Sequence, residues 1–404
     1  MTRPGAFLKG LTTLCVLTSA VLGHAAPQTE AVSMPPHQPI ILGQIASLTG
    51  NNPGGRDNVE GAALAVTQIN ARGGLLGHRS LEVLVEDDQT QAPGAVAAFK
   101  RLLQRQPVAI VGTSFSNASL MVIPSAEEAR IPYVSTGAAD AQVEPPRPYV
   151  FMTPLTGQLV AEQLLRYLRF KGVKRLAVIY DADSQFGRNG WAKQRAMLGR
   201  YGIELATEQA VKVDTTDFAP ALQAAADSGA QAIMGWVTGP PAVGLVKSHD
   251  SAAKSLPLYL SHGAASPALI AAVGQAGEGV TVATALAAVA SQLPDSPVRQ
   301  ASLDMTGAFE NAYGHAPSQF ALDGYVAIRL IAAAIQQAGA DRPEAIQRAL
   351  NHLTLVTPQG TYRFSDGDHS GLRVDDVAIT QIEAGHFKLT EWSRQLLARA
   401  ENRP

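Results

Sequence analysis

The stretch VAIVGTSFSNASLMVIPSAEEARIPYVSTGAA, residues 108–139, decides the fold. Residues 108–111 form an apolar run, the mark of a strand buried on both faces of a parallel sheet. The run ends in a small polar loop, 112–116. A helical pattern over 119–129 follows, and then a second short buried strand, 131–134, which ends in the small-residue loop 135–139. Two neighbouring strands therefore bring two hydroxyl-bearing, glycine-containing loops to one edge of a sheet. Open α/β sheets bind small ligands at that carboxyl edge, where helix N-termini present free N–H groups to an anion. The pattern predicts a cradle for a small molecule rather than a catalytic centre.

Outward from this stretch, strand and helix patterns alternate. Strands are predicted over 40–45 and 81–85, with helices over 58–71 and 93–105. A short strand over 149–152 closes this first series at Thr153-Pro154. A second series begins with an amphipathic helix over 158–170. Strands over 176–180, 232–237, 258–260 and 280–283 then alternate with helices over 189–201, 218–227 and 242–251. Repeated βα units imply parallel sheets with right-handed crossovers. Residues 297–339 read as a long helical section broken near 314–317, and 343–353 as one more helix. The end, 360–389, holds strand-like pieces joined by SDGDHSG and EAGH, which suggests hairpins.

At 404 residues the chain exceeds one ordinary core and suits two domains. The net charge is −2 and no long basic run is present, which argues against nucleic acid as a partner. Arg3 and Lys9, an apolar stretch over 11–23 and the small residues after it form a signal-peptide pattern. Export and cleavage are predicted, with a mature chain starting near Ala26 or Pro27. The only cysteine, Cys15, lies within the apolar stretch, and Leu14 before it does not suit a lipoprotein site. The mature chain then has no thiol and no disulfide. Residues 27–39 are rich in proline and polar groups, as in a flexible leader.

Enzyme motifs are missing. There is no G-x-S-x-G, no H-E-x-x-H, no Walker A and no G-x-G-x-x-G after the first strand. Glu86-Asp87-Asp88 lacks partners for a metal, and Asp366-Gly367-Asp368-His369 reads as a hairpin turn. No cofactor and no metal are expected.

Several segments together resemble the periplasmic solute-binding proteins of the leucine/isoleucine/valine-binding type. They are ILGQIASLTG, EGAALAVTQINARGGLLG, LEVLVEDDQ, VAIVGTSFSNASL, IPYVSTGAA, RLAVIYDADSQFGRNG and FALDGYVAIRLIAAAI, in that order over about residues 40–389. The resemblance implies the α/β type I periplasmic binding fold, with two Rossmann-like lobes joined by three hinge crossings and a ligand caught between them. Crossings are expected near Thr153-Pro154, Ala283 and Thr357-Pro358. The implied organisation is a signal peptide over 1–26, a leader over 27–39, lobe one over 40–153 and 284–356, lobe two over 154–283 and 357–392, and a C-terminal tail over 393–404.

The resemblance also implies site residues. On lobe one, a ligand carboxylate would be held by Ser116 and by backbone amides of the loop Gly137 to Ala139. A family threonine in that loop is Ala139 here, with Ser135, Thr136 or Asp140 as substitutes. Lobe two would supply Phe186, and Trp236 or Thr238 after the 232–237 strand. Phe320 or Tyr325 would supply an aromatic group from the late helix, and Arg56 in TGNNPGGRDN a cleft-facing charge. Amino-acid binders of the family commonly carry a carboxylate after the 258–260 strand for the ligand ammonium. This chain has Ser261-His262-Gly263 instead, so His262 marks a departure. Each residue has a plainer reading as well. Ser116 could cap the following helix, Trp236 could be core, His262 an ordinary loop histidine and Arg56 a solvated charge.

The function implied is capture of a branched-chain or other hydrophobic amino acid, or of a related aliphatic or aromatic carboxylate, by hinge closure in the periplasm. The partners would be the permease and ATPase subunits of an ABC importer. The same fold serving a separate signalling protein as a sensor, and an exported hydrolase, are the alternatives.

Overall fold

The computed structural model describes residues 38–50 and 54–401. The expected signal peptide, all but the end of the expected leader, positions 51–53 of the glycine-rich stretch and the last three residues lie outside them. The first series is β1 (Ile40–Ala46), α1 (Gly54–Ala71), β2 (Leu81–Asp87), α2 (Ala92–Leu103), β3 (Ile110–Val111), α3 (Ser116–Ala129), β4 (Tyr133–Ser135) and β5 (Val150–Met152). The second is α4 (Gly157–Phe170), β6 (Arg175–Asp181), α5 (Gln185–Met197), β7 (Glu204–Val211), α6 (Ala219–Asp227), β8 (Ala232–Trp236), α7 (Gly239–Ala252), β9 (Leu258–Leu260), α8 (Pro267–Val273) and β10 (Thr281–Ala285). Then come α9 (Pro297–Tyr313), α10 (Gln319–Ala338), α11 (Pro343–Leu350), β11 (Thr354–Thr357), β12 (Gly360–Arg363), β13 (Val377–Glu383), β14 (His386–Leu389) and α12 (Glu391–Glu401).

The α/β expectation with two parallel-rich lobes holds. Lobe one carries a five-stranded sheet of order β2-β1-β3-β4-β5, parallel throughout. Lobe two carries the order β14-β13-β10-β9-β8-β6-β7. Its parallel part, β10 back to β7, repeats the lobe-one order, and β13 and β14 add an antiparallel edge. In each lobe the strand order reverses beside the first strand. That is the switch point where open α/β sheets leave a crevice. It falls between β1 and β3 in lobe one and between β6 and β8 in lobe two.

Helix starts follow their caps. Ser266, Ser296 and Ser318 each accept a backbone N–H from the first turn of α8, α9 and α10, and prolines occupy the opening positions of α8 and α9. Helix α10 is apolar nearly all round because it is enclosed by α1, α11 and the sheet. Its contact with α1 is close enough to need glycine. A Cβ on Gly61 would lie 1.9 Å from the Ala321 carbonyl oxygen, and one on Gly324 2.0 Å from that of Asn58.

Two crossings differ from expectation. The first runs through residues 153–156 between β5 and α4. The second is not at Ala283, since β10 continues in the lobe-two sheet to Ala285. Beyond it Leu286, Val289 and Leu293 pack with Ala378, Leu389 and Leu397, so the chain leaves lobe two only after Leu293. The third is not at Thr357-Pro358, which forms the turn of the β11–β12 hairpin with Thr357 Oγ1 donating to the Gly360 carbonyl. Residues up to 372 stay with lobe one: His369 stacks on Phe151 at 4.4 Å, and its carbonyl accepts the Met152 N–H. The chain re-enters lobe two at β13. Apolar strand pieces read alike in either lobe, which is why sequence alone misplaced these points. The expected tail from 393 is also helical. It belongs to α12, and Ser393 Oγ accepts the Ile379 N–H of β13.

Candidate functional site

At the carboxyl edge of lobe one, the β3–α3 loop starts the helix at Ser116, three residues earlier than the pattern suggested. The N-cap is Phe115, without a side-chain cap bond. Ser116 is therefore not a capping serine. It is buried, 4% exposed, and its hydroxyl has no hydrogen-bond partner among the described residues. The first N–H groups of α3 emerge beside it, an arrangement that suits an anion.

The hydroxyls around Ser116 are committed elsewhere. Ser119 Oγ donates to the Thr113 carbonyl and lies 2.8 Å from both Tyr133 Oη and Ser135 Oγ. Asp88 accepts Ser47 Oγ, Thr113 Oγ1 and the Thr90 N–H. These bonds fix the β1, β3 and β4 loops as one rigid rim. Gly137 presses on this rim, since a Cβ there would lie 3.2 Å from Ser116 Cα. Its N–H donates to Ser135 Oγ, while Gln142 Nε2 donates to the carbonyls of Gly137 and Ala139. The Gly137 amide is thus engaged within the loop, contrary to the expectation that it is a free donor. The N–H groups of Ala138 and Ala139 have no partner among the described residues. Of the proposed substitutes for the missing threonine, Ser135 donates to Gln142 Oε1 and Thr136 lies 3.5 Å from Asn58 Oδ1.

The matching edge of lobe two gathers Phe186, Thr238, His262 and Gly263. Phe186 sits in the first turn of α5, because Ser184 caps this helix and accepts the Phe186 N–H. Its ring meets His262 edge-on at 5.3 Å. A Cβ on Gly263 would lie 2.5 Å from Thr238 Cγ2 and 2.8 Å from Phe186 Cζ. His262 is 1% exposed, and burial lowers its pKa to about 4, so the ring is neutral at physiological pH. Neither ring nitrogen has a hydrogen-bond partner.

The two edges meet. Asn117, next to Ser116, donates to the Asp183 carbonyl at 3.1 Å and accepts the Gln185 N–H at 2.8 Å. Asn189 on α5 accepts the Asp140 N–H, and Lys193 pairs with Glu144. The Gln319 N–H donates to the Ala265 carbonyl, joining α10 to the turn after His262. Asp140 is the first-crossing counterpart of these contacts. Its carboxylate accepts the Gly157 and Gln158 N–H groups of α4, while burial holds its pKa up at about 6. Sequence reasoning passed over Asn117 and Asn189. Their only signal is position, one residue beyond Ser116 and one turn into a helix that starts at the facing edge. Asn117→Ala removes both of its bridges. We expect a larger radius of gyration in solution scattering for the variant than for the parent protein, with an unchanged melting temperature to within a few degrees.

Other expected residues lie elsewhere. Trp236 faces inward from β8, covers Gly190 of α5 and donates Nε1–H to Gln194 Oε1 at 2.8 Å; it supports Phe186 from behind at 5.9 Å. Tyr325 is core between α1 and α10, donating to Gln68 Oε1 and accepting from Arg329. Arg56 is exposed in the first turn of α1, not in a loop. Phe320 is half-buried and lies against Gly54 at the start of α1, at the rim. No group of three or more potential metal ligands occurs among the described residues.

A polar cluster spans the crossings. Asp323 on α10 accepts Gln319 Nε2 and Gln359 Nε2, Thr153 Oγ1 donates to the Asp323 carbonyl, and Tyr362 donates to the Thr153 carbonyl. Burial pushes Asp323 up to about 8, against the two amide bonds. The folded state therefore holds a proton there that the unfolded chain releases near pH 4. This contribution is complete below about pH 4 and is lost as pH rises towards 8. Stability to urea should be lower at pH 8 than at pH 5, and Asp323→Asn should lessen that difference and gain stability at pH 8.

The sequence profile of the periplasmic binding protein family matches residues 39–386. The chain belongs to that family. Its members are solute-binding proteins and not enzymes, so the hydrolase alternative falls. A Pseudomonas aeruginosa relative named leucine-, isoleucine-, valine-, threonine-, and alanine-binding protein is 25% identical over 316 residues, 76% of this chain and 80% of the relative. Among solved structures, the Streptococcus pneumoniae branched-chain amino acid transporter substrate binding protein LivJ, in complex with isoleucine, superposes with a TM-score of 0.75 at 20% identity, covering 87% of this periplasmic binding protein and 98% of that chain. A Rhodopseudomonas palustris ABC transporter solute binding protein in complex with benzoate gives 0.76 at 20% identity, covering 87% and 95%. Among the described residues no helix is long and apolar enough to cross a membrane.

Proposed function

We propose that this chain is the periplasmic solute-binding subunit of an ABC importer, and that it captures a small hydrophobic amino acid or a related aliphatic or aromatic carboxylate by closing its lobes. The observation that carries the reading is the meeting of the two switch-point edges at Asn117 and α5. The unpartnered Ser116 hydroxyl and the N-terminus of α3 stand on one side, and the neutral cluster of Phe186 and His262 on the other. In this reading Ser116, the first α3 amides and the Ala138–Ala139 amides take the carboxylate. Phe186 and Phe320 enclose the apolar body, with Thr238 beside them. Closure withdraws the solute from water on both sides, which one lobe alone does not do. Permease and ATPase subunits would receive the loaded, closed form, and the N-terminal signal pattern would deliver the chain to the periplasm.

A thermal-shift screen of the mature chain with amino acids and simple carboxylates tests the reading. A solute at about 100 times its Kd stabilises the folded state by about 2.7 kcal/mol, a rise in melting temperature of several degrees. No shift from any member of either class contradicts the proposal. For the solute identified, Ser116→Ala should weaken binding about tenfold, the loss of one charge-assisted hydrogen bond, and leave the melting temperature without solute unchanged.

A further inference from the structure

The chemistry of the lobe-two edge narrows the solute class, on the footing of the function proposed above. Four buried polar side-chain atoms there lack hydrogen-bond partners: Ser261 Oγ, both His262 ring nitrogens and Thr284 Oγ1. Ser261 and His262 follow β9. The parallel register pairs Thr281 with Tyr259 and Val282 with Leu260, and the end of β10, which carries Thr284, touches the turn of His262 at the same edge. The turn that holds His262 also touches lobe one, through the Gln319 N–H to the Ala265 carbonyl. Buried polar atoms almost always find partners, and leaving each unpaired costs about 1–3 kcal/mol. Four such atoms at one inter-lobe edge indicate a partner that arrives with the solute.

The sign of that partner follows from how the buried acids are engaged. An ammonium taken between closed lobes needs a buried carboxylate to offset its desolvation. The buried acidic side chains among the described residues are Asp88, Asp140, Asp181 and Asp323. Each already holds donors of its own surroundings. Asp88 takes Ser47, Thr113 and Thr90; Asp140 takes the α4 N–H groups; Asp181 takes the Asp183 and Ser184 N–H groups; Asp323 takes the two glutamines. A neutral imidazole offers one donor and one acceptor, and the serine and threonine hydroxyls offer both roles. That set matches a hydroxyl or a carbonyl oxygen.

We infer that Ser261, His262 and Thr284 form an uncharged subsite for an oxygen substituent, and that the physiological solute is a 2-hydroxy or 2-oxo monocarboxylate with an apolar body rather than an α-amino acid.

Isothermal titration of the mature chain at pH 7.5 with matched series tests this. One series is leucine, 2-hydroxy-4-methylpentanoate, 2-oxo-4-methylpentanoate and 4-methylpentanoate. The other is phenylalanine, phenyllactate, phenylpyruvate and 3-phenylpropanoate. The expected result is that a hydroxy or oxo acid binds at least tenfold more tightly than both the amino acid and the unsubstituted acid of its series. His262→Gln, which keeps a donor and an acceptor, should hold that preference, and His262→Leu should abolish it. Tighter binding of the amino acids overturns this inference and leaves the solute-binding proposal standing. Equal binding of the unsubstituted acids overturns it too, since the subsite would then contribute nothing. Binding by no member of either series overturns both.

Discussion

Gly61→Val should destabilise the protein by about 3 kcal/mol or more, the upper range for forcing extra methyl groups into a packed contact. The Cβ alone would stand 1.9 Å from the Ala321 carbonyl oxygen. The obstacle is backbone, so no side chain can swing aside. Relief requires α1 to move away from α10, and the reciprocal contact of Gly324 with the Asn58 carbonyl resists that movement. Asn58 itself ties the pair together by donating to the Phe320 carbonyl and accepting from Gln44. Helix propensity acts in the opposite direction, since replacing a helical glycine gains at most about 1 kcal/mol, and it loses to the overlap. Urea denaturation of the parent and the variant gives the difference directly. A variant as stable as the parent would show that the two helices do not approach as closely as described.

The second large effect concerns binding and leaves the fold intact. Gly263→Val places methyl groups where Thr238 Cγ2 and Phe186 Cζ already lie within 3 Å of a Cβ. Here the neighbours are side-chain ends at the lobe-two edge, and they can be displaced. Phe186 would be pushed off His262 towards the facing lobe, into the space that the proposed solute requires. We expect solute affinity to fall at least a hundredfold, on the order of 3 kcal/mol. The melting temperature without solute should change little. Titration calorimetry on a variant with an unaltered circular dichroism spectrum checks it. Retained affinity would remove Phe186 and His262 from the site.

How much of this was legible in the sequence depends on what each residue's signal encodes. The alternation of buried strands and helices was readable because parallel strands are apolar on both faces. That alternation, with the ordered family-like segments, gave the two lobes. Element starts were less visible. Helices α1, α3 and α5 begin three or four residues before the apolar periodicity does, since their first turns carry glycine, serine and polar residues at the sheet edge. Phe186 and Arg56 therefore appeared to be loop residues. Trp236 stood open between ligand contact and core, and strand parity decides its place. Ala232, Met234 and Trp236 share the inner face of β8, which commits the indole to α5. Tyr325 lies one and a half turns into α10, past the rim where Phe320 sits. His262 stood out as a departure from the acid expected there. Its neutrality and its two unpartnered nitrogens come only from burial in three dimensions, and so does the bridging role of Asn117.

Enclosure of a carboxylate solute between the two switch-point edges is open to direct view in a crystal structure of residues 27–404 with the tightest-binding acid from the matched series. The carboxylate should lie within about 3 Å of Ser116 Oγ and of an α3 or Ala138–Ala139 amide, with Phe186 and His262 on the opposite side. A solute bound anywhere else, or one whose carboxylate faces lobe two with Ser116 empty-handed, would contradict it.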